Sequence, residues 1–270
     1  MRHGNCITLY MATRAIWKGV LRIQSTDVPV KLYAAVQDRK IHFHVLQGQS
    51  KTRVKQQMVR ETGEAVAREN VRKGYEIQPG QFVVVEDSEL EELKPEESRN
   101  ISTTRFVPLA EISNEWYERP YYLGPDGDAP MYAALVEALQ KQDAGGIARW
   151  SMRGKAYVGV LTTYENCLVL IKTRYSEEVL SRGLSAPAGP LDPKELKMAH
   201  ELVSALEGDF KPEEFHDEYR ERLLTFVEAK ARGKHPRLPA IKERKAEGSL
   251  DVQLQRSLTA LKRAEEKRIA

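Results

Sequence analysis

Acids are missing from one stretch of this sequence. From Arg39 to Arg60 there are six Lys/Arg, two His and no Asp or Glu across 22 residues. The whole chain is nearly balanced, with 42 Lys/Arg against 39 Asp/Glu, so the gap is local. Cysteine is scarce as well. Cys6 and Cys167 are the only two and lie far apart in sequence, which predicts neither a structural disulfide nor a zinc site. On that ground the chain reads as cytoplasmic. No run of 18 apolar residues exists, so no helix is expected to span a membrane. The N-terminus lacks an apolar segment with a small-residue cleavage site, so no signal peptide is expected. Residues 1–12 read as a short extension, with a second plausible start at Met11.

Chemistry is missing too. There is no phosphate-binding glycine loop, no dinucleotide fingerprint and no nucleophile elbow. His42 and His44 have chelating spacing on a predicted strand, but no third ligand stands out. His200 and His216 fall on predicted helices with no nucleophile beside them. Seven acids crowd "EDSELEELKPEE" (86–97); such a run reads as a solvated helix or loop rather than an acid–base pair. The chain is expected to be no enzyme, with no cofactor and no metal.

What is present is segregated charge. Residues 1–85 hold 14 Lys/Arg and 6 Asp/Glu, residues 86–145 hold 5 and 14, and residues 233–270 hold 10 and 5. Blocks of this kind predict faces of opposite sign. The 22 acid-free residues point further, to a polyanion partner.

The first part is strand-rich. "AIWKGVLRI" (15–23) puts Ile16, Lys18, Val20 and Arg22 on one face. "VPVKLYAAV" (28–36) is β-branched, with Pro29 near its start. "IHFHVL" (41–46) alternates. "QFVVV" (81–85) reads as a buried strand after a Pro79-Gly80 turn, and "ISTTRFV" (101–107), "AYVGVL" (156–161) and "CLVLIKT" (167–173) follow. Short strands at this spacing predict a barrel or a packed antiparallel sheet. A helix is predicted over 129–142, with Pro130 in its first turn, and Gly145-Gly146 ends that region. After the breaker cluster at 186–190 come a helix over 191–208, capped by Asp192 and striped by Leu196, Ala199, Leu202, Val203 and Leu206, and another from Pro212 to about Arg232. A basic linker (233–239) leads to an amphipathic helix over 249–267 with Leu250, Leu254, Leu258 and Leu261 in line.

Several segments, in collinear order over about residues 13–232, together resemble the bacterial Ku proteins. These are "RAIWKGVLRI", "DVPVKLYAA" and "DRKIHFH" (14–44), "VRKGYEIQPGQFVVVEDSELEEL" (71–93), "FVPLAEI" with "YERPYYLGPD" (106–126), "YENCLVLIKTRYSEEV" (164–179) and "ELKMAHELVSALEGDFKPEEFHDEYRERLLTFVEAK" (195–230). The resemblance implies a mainly β fold with α. Its core is a Ku-type β-barrel over 13–185 with a DNA-encircling bridge inserted at about 48–75. A helical arm for dimerisation follows over 191–232, then the linker and partner-binding helix of 233–270. It also implies a homodimeric ring that threads onto double-stranded DNA ends, nucleoid-associated in the cytoplasm, and recruits an ATP-dependent ligase for non-homologous end joining.

In that light the acid-free segment has a purpose. Phosphates are the one feature every DNA end shares, and cations meet them without reading sequence. Lys51, Arg53, Lys55 and Arg60 are the expected backbone contacts. Lys18 and Lys31 on early strands, and Arg149, Arg153 and Lys155 around a later turn, complete the expected DNA-binding set. Trp17 is expected in the core. Leu250, Leu254, Leu258 and Leu261 are the expected partner-binding face. Two departures stand out. Many bacterial members carry Cys-x-x-Cys-Gly where this chain has "MVRETG", and the long Lys-rich tail of some members is replaced by the short linker and one helix. The alternative from the residues alone is a β-barrel adaptor that binds RNA or a protein through the same basic loop.

Overall fold

The structure, a computed structural model, describes residues 14–180 apart from 49 and 97, residues 189 and 192–234, and residues 255–257 and 259–260. It divides into two compact units between Arg182 and Gly183. In the first, seven strands close on themselves: β1 (Trp17–Ile23), β2 (Thr26–Ala34), β5 (Asn100–Pro108), β6 (Tyr117–Pro125), β7 (Ala144–Met152), β8 (Lys155–Tyr164) and β9 (Cys167–Thr173). Their order around the barrel is β1-β2-β6-β9-β8-β7-β5. Every pair is antiparallel except β5 with β1, which run parallel and shut the barrel. Closure leaves no free sheet edge.

Period-two alternation decides what fills it. On β2, Val28, Val30 and Leu32 point inward at 0–1% exposure, while Asp27, Pro29, Lys31 and Tyr33 point out. Leu21, Ile101, Leu123, Leu161, Leu168 and Leu170 are also fully buried. Trp17 packs against this core, as expected. Gly159 is required: a Cβ there would come 2.4 Å from the Ile171 carbonyl oxygen and 2.9 Å from the Trp150 ring.

Helix α2 (Ala129–Gln142) has the predicted bounds. Asp128 caps it, accepting from the Met131 N–H at 3.0 Å. Tyr132, Val136 and Leu139 are buried on its inner face. The Tyr132 hydroxyl donates to the Leu123 carbonyl at 2.6 Å and accepts from the Leu168 N–H at 2.9 Å, prolonging the β6–β9 ladder where the strands part.

Between β2 and β5 the chain leaves the barrel. The described residues of 35–72 form no long strand. β3 (Lys73–Gln78) and β4 (Gln81–Val85) then make a separate two-stranded ribbon, and α1 (Asp87–Glu92) leads back. Two expectations fail here. "IHFHVL" does not form a regular strand; only Leu46 makes an isolated bridge, to Arg53. Alternation cannot make a strand without a neighbour to pair with. "QFVVV" is a strand but not a buried one: Phe82 is 60% exposed and Val84 57%. Its Pro79-Gly80 turn is as expected, with Gly80 at φ +79°. β3 itself was not legible as a strand, its run being broken by Gly74 and charges.

Two barrel strands also escaped the sequence pattern. β6 contains Pro120 and Gly124, and β7 opens on Ala144-Gly145-Gly146, small residues that read as a helix end. Cys167, buried at the start of β9, is disulfide-bonded, contrary to expectation.

The second unit holds α3 (Pro193–Ala205) and α4 (Glu218–Ala231). Asp192 caps α3 through the Lys194 N–H at 2.8 Å, and Asp217 caps α4 through the Arg220 N–H at 2.9 Å. Pro212 does not open α4; it starts a single 3-10 turn over Pro212–Glu214, because a nearer cap, Asp217, sets the true start. Neither helix buries a residue. The leucine face of Leu250, Leu254, Leu258 and Leu261, like residues 1–12, lies outside the described residues.

Candidate nucleic-acid interface

Two tight turns shape this part of the inserted segment, the first inside the acid-free run and the second starting at its last residue, Arg60. In the first, the Lys51 N–H donates to the Gln47 carbonyl, the Gln47 N–H to Thr52 and the Val54 N–H to Val45, at 2.9–3.1 Å. Lys51 sits at the left-handed φ of +55° that the turn demands. Arg53 lies opposite Leu46, and Lys55 follows. In the second turn the Arg60 N–H donates to Glu64 and the Gly63 N–H to Arg60, both at 2.9 Å. All four cations are exposed.

Their electrostatic situations differ. Among the described residues, no carboxylate comes within ion-pair distance of Lys51, Arg53 or Lys55. Arg60 is paired with Glu64 at 3.5 Å, both about 70% exposed. That acid lies just past the acid-free window, so Arg60 is partly neutralised where the other three are not.

The acidic block at 86–97 lies where the segment returns to the barrel. Arg72 pairs with Glu86 at 3.4 Å and Lys73 with Asp87 at 2.9 Å. Lys73 holds the Asp87 carboxyl below its ordinary range, mainly by hydrogen bonding. Acids thus collect at the base of the ribbon and in the second turn, with Glu61 and Glu64, and stay off the first turn.

The barrel carries the other expected cations on its outer face. β1 and β2 place Lys18 directly opposite Lys31. Both ammonium groups reach one carboxylate: Lys18 Nζ lies 2.6 Å from Asp126 Oδ2 and Lys31 Nζ 2.7 Å from Asp126 Oδ1. The hydrogen bonds from Lys18 and then Lys31 hold the Asp126 carboxyl below its ordinary range, and Asp126 in turn raises Lys31. Further along the same pair, Arg22 faces Asp27 in a bidentate pair at 2.7 and 2.8 Å.

Register extends that row across the wall. Arg22 pairs with Ser102 on β5, Ser102 with Arg149 on β7, and Arg149 with Val158 on β8. Arg149 is exposed at the edge of an open cleft of about 620 Å³, whose walls include Asn100, Ser102, Ser151 and Tyr175. Arg153 and Gly154 form the two-residue β7–β8 turn at φ +53° and +68°, the primed geometry that suits a hairpin. Lys155 opens β8. The structure thus joins Lys18 to Lys31, and sets Arg22 two strands from Arg149. Arg153 and Lys155 stand together at the hairpin tip.

Sequence reasoning missed Asp126 and Arg22. Only strand register shows that one acid from the end of β6 serves two lysines, so no local signal could have found it. His42 and His44 gather no metal site: among the described residues no group of three or more His, Cys, Asp or Glu stands close enough.

Known proteins resemble this chain in sequence. Residues 22–200 match the family model described as the Ku70/Ku80 beta-barrel domain. The non-homologous end joining protein Ku 2 of Geotalea uraniireducens is 38% identical over 225 residues, covering 83% of this chain and 88% of that one. The non-homologous end joining protein Ku of Coxiella burnetii is 36% identical over 228 residues, with 82% and 83% covered, and that of Bacillus subtilis is 32% identical over 250 residues, with 90% and 80% covered. Barrel and sequence agree: this chain belongs to the Ku family.

Proposed function

We propose that this chain binds the ends of double-stranded DNA without regard to sequence, as a homodimeric ring, in non-homologous end joining, and that it brings an ATP-dependent ligase to those ends. The observation that carries the reading is the inserted segment. It presents Lys51, Arg53 and Lys55 on tight, exposed turns with no acid beside them. Such a surface suits a phosphate backbone, which offers charge and no sequence. No catalytic step is needed for this task.

The ring is supported by what the inserted segment leaves uncovered. Phe43 is 68% exposed, Tyr75 71%, Ile77 53% and Phe82 60%. A lone two-stranded ribbon is marginal in water, and an apolar surface of this kind calls for a cover. A second copy of the chain, joined by an isologous contact, supplies one and turns two half-bridges into a closed loop. The helices α3 and α4, with Val203, Leu206, Phe210 and Tyr219 exposed, are the second dimer surface in this reading. Ligase recruitment rests on the Leu250, Leu254, Leu258 and Leu261 pattern. No helix among the described residues is long and apolar enough to cross a membrane, and the reading places the protein on DNA in the cytoplasm.

A closed ring loads only from an end. Linear duplexes of about 20–40 base pairs should bind with affinity independent of sequence, and covalently closed circles should bind poorly. In the same reactions, removing residues 241–270 should leave binding intact and abolish the stimulation of end joining by the ligase. Equal affinity for circles and linear duplex overturns the ring and favours a basic-loop adaptor.

A further inference from the structure

Two ion-pair clusters lie on the outer face of the same strand pair, and they are built differently. Arg22 and Asp27 form a one-to-one pair, each side chain about half exposed. Lys18, Lys31 and Asp126 form a two-to-one cluster in which the acid is the covered member: Asp126 is 15% exposed, Lys31 36% and Lys18 65%. Each carboxylate oxygen takes one ammonium. The Asp126 backbone is fixed in turn, its N–H donating to the Pro29 carbonyl at 3.0 Å. Like charges directly opposite on paired strands repel, yet here two lysines are held together with a net charge of one left over.

We infer that Asp126 is a positioning residue for DNA, holding the Lys18 and Lys31 ammonium groups side by side, with their remaining donors directed outward to backbone phosphates. This rests on the duplex-binding reading above. Each ammonium has three donors, and one is used on Asp126. A free lysine must surrender much rotamer freedom to hold a phosphate; a lysine already tethered has surrendered it in the folded protein. The acid therefore aids binding of a polyanion even though its own charge opposes it.

That conflict of sign makes the test. Asp126→Asn and Asp27→Asn each raise the net charge by one beside lysines or arginines of the β1–β2 pair. Affinity for a linear 30-base-pair duplex is measured against salt for the wild type and both variants, with folding checked by thermal melting. Asp126→Asn should bind about tenfold more weakly, the cost of ordering two long side chains anew, with a flatter salt slope. Asp27→Asn, which frees a cation, should bind as tightly as the wild type or tighter. Asp126→Asn should have no further effect once Lys18 and Lys31 are both alanine. Asp126→Glu keeps the charge, disturbs the fold least and moves the carboxylate by one methylene; it should bind more weakly than the wild type. If Asp126→Asn binds more tightly, or Asp126→Glu binds like the wild type, Asp126 merely neutralises two repelling lysines and the inference is wrong. A wild-type protein that fails to bind the duplex at all would instead remove the reading beneath it.

Discussion

The barrel and the inserted segment belong to one chain and obey opposite rules. In the barrel every strand is paired on both sides, and ten side chains from Leu21 to Leu170 are under 2% exposed or close to it. In the segment between Val36 and Val85, pairing amounts to two isolated bridges and one ribbon, and Phe43, Met58, Tyr75 and Phe82 stand at 60–71% exposure. The barrel satisfies its backbone and its apolar surface internally. The segment satisfies neither within itself, so its residues suit something outside this chain. A stable scaffold that holds out an unsatisfied arm is what a protein needs if it must close around a ligand rather than receive it in a cleft.

The sharpest break of that comparison is a pair of truncations. Leu161 is 0% exposed, so Leu161→Ala should cost about 2–5 kcal/mol and lower the melting temperature by on the order of 10 °C. Phe82→Ala removes a larger side chain but a wet one. It should leave the melting temperature of the dilute chain within about 2 °C and lower the affinity between copies. Calorimetry over a range of protein concentration separates the two. Comparable losses at low concentration would mean that the ribbon belongs to the folding core.

The second contrast is electrostatic and smaller in stability but large in binding. Replacing Lys51, Arg53, Lys55 and Arg60 together by Ala should leave the barrel melting unchanged. It should weaken binding to all duplex sequences alike and flatten the slope of log affinity against log salt by about 0.9 for each phosphate that is no longer neutralised. The single changes should not be equal. Arg60 is shared with Glu64, so Arg60→Ala should weaken binding less than Arg53→Ala. An unchanged salt slope in the fourfold variant removes the segment from the interface.

The same division explains what the sequence could and could not reveal. β1, β2, β8 and β9 were legible because burial on one face writes alternation into the residues. α2 was legible to the residue because Pro130 falls in its first turn and its apolar residues recur at helical spacing. "IHFHVL" and "QFVVV" misled because the apolar pattern that elsewhere means burial here meets a missing neighbour. β6 and β7 were hidden by Pro120 and by Gly145-Gly146, whose fit depends on strands far away in sequence. For the site, the acid-free run needed only counting. The Lys18–Asp126–Lys31 cluster needed the register of β1, β2 and β6 at once, and register is a property of the fold.

The smallest effect compares acids on the barrel with one at the base of the ribbon. Arg22 holds the Asp27 carboxyl below its ordinary range, first by hydrogen bonding, as Lys73 does for Asp87. A carboxyl whose pKa is lowered on folding adds stability that is fully present above the unfolded value, about 3.9. That stability is lost as the pH falls through the folded value. The melting-temperature difference between the wild type and Asp27→Asn should therefore be constant from about pH 7 to about pH 5 and shrink below about pH 4. Both groups are exposed, so added salt should shrink it further at every pH. Asp87→Asn should show no such difference in the barrel transition, since Asp87 pairs only with the base of an arm that the barrel does not need. If Asp87→Asn shifts that transition as Asp27→Asn does, the arm and the barrel melt as one body.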